Sequence, residues 1–106
     1  MSELLSENRD FLNLILDTES SQKRSLTQSI TKKQVDAISE IFFNLNSISF
    51  TGNDAKFLNK KKRNFMKKIG NKKLSFGFRR RKLNKEFLLM VKILSYFKPE
   101  LKKLIN

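Results

Sequence analysis

The feature that most constrains this chain is a helix start at residues 31–34. Thr31-Lys32-Lys33-Gln34 is a capping box: the Thr31 hydroxyl can accept the Gln34 backbone N–H while the Gln34 side chain reaches back to the backbone of Thr31. Ile30, just before the cap, and Val35, at the fourth helical position, are placed to form a hydrophobic staple. Val35, Ile38, Ile41, Phe42 and Leu45 then mark one apolar face to about Asn46. Elsewhere nothing alternates with period two for long enough to argue a strand, residues 47–50 being the only short candidate. The expected fold class is therefore all-α.

Three further segments read as helices. Over residues 3–17, Ser2 is a cap, Glu3 and Glu7 suit the positive helix end, and Leu4, Phe11, Leu12 and Ile15 recur at helical spacing. Residues 18–30 are polar and aperiodic, which predicts a flexible linker and makes the acidic first helix a tethered arm. A third helix is expected from near Thr51, with Asp54 in its first turn and Phe50 as a staple, to a left-handed end at Gly70-Asn71. A fourth runs from about Ser75 towards Lys98, with Leu83, Phe87, Met90, Val91 and Leu94 along its rear. Pro99 breaks it and opens a last short turn to Ile105. The expected organisation is an acidic helix and linker over 1–30, then a basic domain of three main helices over 31–106.

Charge divides the chain more sharply than hydropathy does. Residues 1–19 carry one base and five acids, whereas residues 55–106 carry 18 bases and two acids (Glu86 and Glu100), out of a formal net charge of +13 for the whole. Such an excess repels itself unless a polyanion neutralises it or it is spread over a solvated, Lys-rich surface. On the third helix, at 100° per residue, Leu58, Phe65 and Ile69 cluster on one side. Lys56, Lys60, Arg63 and Lys67 fall in a narrow arc opposite, flanked by Lys61, Lys62 and Lys68. Lys72 and Lys73 follow this helix, and Arg79, Arg80, Arg81 and Lys82 front the next.

These cations suit a phosphate backbone. Lys and Arg beside phosphates release condensed counterions, and Arg adds planar donors. The expected partner is nucleic acid, DNA rather than RNA, bound without reading sequence, through the twelve cations from Lys56 to Lys82 named above, Lys62 excepted. Phe76 and Phe78 flank the Arg run and are read either as core or as platforms for unpaired bases. The Lys60-Lys61-Lys62-Arg63 run also fits a nuclear import signal. Residues 87–97 are apolar apart from Lys92 and Ser95 and too short to span a bilayer; they read as core or, alternatively, as an interfacial membrane helix.

Catalytic chemistry finds little to use. With no His and no Cys, a Ser–His triad cannot be built, and the commonest metal ligands are missing. Lack of Cys also fits a reducing, intracellular compartment. The glycines are scattered, and outside the N-terminal arm Asp36 and Glu40 are the only carboxylates sharing a helix face four residues apart; they read as solvated surface. The expectation is a non-enzymatic protein with no cofactor, metal or small-molecule substrate.

From Thr31 onward the order of motifs carries a resemblance. Gln34-Val35-x-Ala37-Ile38-x-Glu40-Ile41-x-x-Asn44-Leu45 precedes a Lys-rich helix ending Met66-Lys67-Lys68-Ile69. Lys72-Lys73-Leu74-Ser75 and Arg79-Arg80-Arg81-Lys82-Leu83 follow. This resembles the small basic proteins of Polinton/Maverick and adintovirus-like DNA elements, relatives of adenovirus-type viruses. In that group a Gly-Gly step follows the second basic run; here Asn84-Lys85-Glu86 precedes Phe87-Leu88-Leu89. The resemblance implies a virion-associated protein, found in the particle and host nucleus, comparable to a DNA-condensing core peptide. A minor structural protein docked on an acidic inner capsid surface is the alternative it leaves open.

Overall fold

The capping box starts the longest helix of the fold: Thr31 Oγ1 accepts the Gln34 N–H at 3.3 Å and Gln34 Oε1 accepts the Thr31 N–H at 3.0 Å. The computed structural model describes residues 2–106, and within them every regular element is helical. In chain order they are α1 (Glu3–Glu7), α2 (Arg9–Asp17), α3 (Ser20–Gln28), α4 (Lys32–Ser47), α5 (Gly52–Phe57), α6 (Lys60–Ile69), α7 (Phe76–Lys85), α8 (Phe87–Tyr96) and α9 (Lys98–Ile105). Residues 47–50 form no strand.

The hub is α4. It buries Val35, Ala37, Ile38, Ser39, Ile41, Phe42 and Leu45 and touches α1, α6 and α7. Phe65, Met66 and Ile69 of α6, Leu83 of α7 and Phe87, Met90, Ile93 and Leu94 of α8 complete one continuous core. One side of α8 is thus covered by the core, while Leu88 stays 66% exposed, and among the described residues no helix is long and apolar enough to cross a bilayer.

The N-terminal third departs from the expected arm and linker. Leu5, Leu12, Ile15 and Leu16 are buried in the common core, with α1 against α4 and α2 against α9. Asp17 pairs with Lys98 at 3.2 Å and with Lys102, so the acidic segment is stitched to α9 rather than tethered loosely. The radius of gyration, 12.7 Å, matches the roughly 13 Å of a single domain of about 100 residues. The polar stretch forms α3 because tertiary contacts override weak propensity. Lys23 and Thr27 are buried one turn apart, and Ile30 is buried beyond them. Arg80 donates to the Gln28 carbonyl at 2.8 Å and Asn84 to that of Thr27 at 3.1 Å, satisfying carbonyls left open at the helix end.

Three expected helices are interrupted. Asn8 separates α1 from α2 and Glu86 separates α7 from α8. The third breaks at Leu58-Asn59, because Asn59 is a strong N-cap whose Oδ1 accepts the Lys62 N–H at 3.0 Å and restarts the chain as α6. Before the break, Phe57 stacks on Tyr96 with centroids 3.8 Å apart, and Tyr96 donates to Asp54 at 2.7 Å, fixing α5 beside α8. Gly52 opens α5 at φ +60°, a backbone that favours glycine. Gly70, by contrast, ends α6 at φ −72° and not in the left-handed region. Its reason is close approach: a Cβ there would sit 3.0 Å from both Phe43 N and Met66 O.

Candidate nucleic-acid interface

The structure sorts the expected cations into two groups. Arg79 leads the first. It lies on the same side of α7 as Leu83 and is 2% exposed, with its guanidinium 2.9 Å from Asp36 and donating to Ser39 at 2.7 Å. Arg79 is therefore removed from any phosphate-facing surface, because an apolar helix face carries it inward and Asp36 meets it there. Lys82 is half-buried and pairs with Glu86 at 2.6 Å, while Arg80, though exposed, is engaged with α3. Only Arg81 of that run is both exposed and without a polar partner among the described residues. Most of the basic front of α7 holds the fold together.

The second group lies on α6 and the turn after it. Lys60, Lys61, Lys67, Lys68, Lys72 and Lys73 are exposed, and none forms an ion pair among the described residues. Arg63 shares the outer side but is half-buried, with Nε donating to the Leu58 carbonyl at 3.1 Å. Lys62 covers the Phe57 ring at 4.3 Å. Lys56 is exposed on α5, so the break at Asn59 takes it out of line with the α6 cations. Three lysines in the first turn of α6 face the positive end of its dipole, where cations are unfavourable.

The acidic pair on α4 is not solvated surface either. Asp36 bridges Lys32, at 3.1 Å, and Arg79, while Glu40 accepts a hydrogen bond from Ser2. Burial pushes the Asp36 carboxyl up, but the hydrogen bonds and charges of Lys32 and Arg79 outweigh it and leave the pKa below its ordinary value. The Lys102 hydrogen bond, helped by Lys98, likewise depresses Asp17. Both groups therefore add stability that is present above about pH 4, the unfolded value, and lost as pH falls through the lower folded values. Melting temperature is expected to drop progressively below about pH 4, with a flatter acid limb in Asp36→Asn. Acid limbs of equal slope in thermal scans would show that Asp36 carries none of it.

Of the two aromatics beside the Arg run, Phe76 packs against the core and Phe78 is 37% exposed. The aromatic that stands out was not among the expected site residues. Phe43 is 61% exposed on α4, at a groove of about 680 Å³ bounded by Met66, Lys67, Gly70, Lys72 and Lys73. Its neighbour Phe42 is fully buried. Consecutive helical residues diverge by 100°, so Phe43 falls about 135° from the centre of the buried arc, a signal present in the sequence.

Among the described residues no group of three or more His, Cys, Asp and Glu side chains converges in a way that could hold a metal ion. Comparison with protein-family models, with curated proteins and with solved structures finds no match to this chain.

Proposed function

We propose that this protein binds nucleic acid through charge, without reading base sequence, and serves in DNA packaging or condensation. The observation that carries the reading is the set of six exposed, unpaired lysines on α6 and the turn after it. Flexible point charges of this kind neutralise phosphates but discriminate poorly between bases. The resemblance to proteins of Polinton-like elements supplies the setting, the interior of a virus-like particle.

Binding of a labelled random-sequence duplex, followed from about 50 to 200 mM salt, tests it. Six neutralised phosphates give a slope of about −5 in log affinity against log salt, a loss of about a thousandfold across that range. A flat dependence or no binding would hand the cationic surface to protein carboxylates, such as those of an acidic capsid wall.

A further inference from the structure

We propose that the groove beside Phe43 is a stacking site for one unpaired base of a single-stranded segment, whose flanking phosphates rest on Lys67, Lys72 and Lys73. The inference deepens the nucleic-acid reading and rests on it. An exposed aromatic ring on a rigid helix, with cations on one side, is the arrangement that holds single strands, because every base has a π-face and every linkage a charge.

The groove is built rather than incidental. Its floor is Met66, which is fully buried, and Gly70, whose missing Cβ lets the end of α6 rest on the backbone of Phe43. That contact fixes the helix carrying the ring. Asn71 Oδ1 accepts the Lys73 N–H at 3.0 Å, which orders the turn holding Lys72 and Lys73 and leaves the Asn71 amide group free to donate to a base edge. Asn44 and Asn46 of α4 also line it. The one carboxylate at the groove, Glu40, is held by Ser2. A volume of about 680 Å³ lies within the range of small-ligand sites, roughly 300–1,000 Å³. A blunt duplex keeps its bases stacked and cannot present one to Phe43, so the groove separates single-stranded ends from duplex interiors.

The chain has no Trp, so Phe43→Trp places a lone indole in the groove, excited at the long-wavelength edge where Tyr96 does not absorb. The variant is titrated with a short oligo(dT) and with a blunt duplex, both end-labelled so that anisotropy reports binding independently. Expected are saturable indole quenching by oligo(dT), duplex binding without quenching, and a loss of about tenfold in oligo(dT) affinity for Phe43→Ala, with duplex affinity within twofold. If oligo(dT) binds without quenching and Phe43→Ala leaves its affinity unchanged, the stacking site is overturned while charge-based binding stands. Loss of binding to both DNAs in the unmodified protein overturns the underlying reading as well. An indole signal that changes with protein concentration alone would assign the groove to a contact between two copies and overturn the proposal.

Discussion

Asp36→Ala is expected to lower stability by about 3–5 kcal/mol, the cost of stranding a buried charge, and the melting temperature by roughly 12 °C or more. Arg79 is 2% exposed, and without Asp36 its guanidinium keeps only the Ser39 hydroxyl at 2.7 Å. Its Nε is already buried without a hydrogen-bond partner, so the remaining charge has nowhere to go. The reverse change should cost less. Arg79→Met puts an apolar chain of similar length into the same space, and Asp36, partly exposed, keeps Lys32 at 3.1 Å. Combining the two is expected to recover most of the loss, because the penalty lies in the unpaired charge and not in the missing pair. Urea denaturation of the three variants measures this. An Asp36→Ala protein within about 1 kcal/mol of the parent would mean that Arg79 finds water.

Reversing Lys60, Lys61, Lys67 and Lys68 to Glu is the second large change, this time in affinity. Removing four phosphate contacts is expected to reduce duplex binding by about a thousandfold near 0.1 M salt and to flatten the salt slope from about −5 to about −2. Stability should barely move. All four side chains are exposed and unpaired. The helix dipole favours Glu at positions 60 and 61 and disfavours it at 67 and 68, so the two ends offset one another. The contrast with Asp36→Ala is the test of the sorting: one variant melts early, and the other melts normally and binds poorly. Binding unchanged by the four reversals would remove α6 from the interface.

How far the sequence could be read depended on whether a signal was local. The Thr31 box, the Ser2 cap and the apolar faces of α4 and α6 rest on neighbours three or four residues apart, and they appear in the structure as expected. The α3 helix could not be read this way. Its stabilising partners are Arg80, Asn84 and, over the Phe87 ring at 4.4 Å, a cation–π contact from its own Arg24, all joining it to residues more than fifty positions away. The run Arg79-Arg80-Arg81-Lys82 looked uniform because charge alone does not reveal orientation. The cue was the placing of Arg79 one turn before Leu83, with an acid on the facing helix. At the groove, the lysines were visible as charges. The ring they surround is set there by Gly70 meeting the backbone at Phe43, a tertiary contact with no sequence signature.

The stitching of α2 to α9 has a consequence for the order in which the molecule can be made. Asn13 exchanges hydrogen bonds with Asn106, at 2.9 and 3.1 Å, and accepts one from Lys102, 89 residues later, at 2.8 Å. At translation rates of 5–20 residues per second, α2 leaves the ribosome roughly 4–18 s before α9, the helix it packs against. During that interval α2 lacks its α9 neighbours, so the seam between the two helices closes only after the last helix has been made.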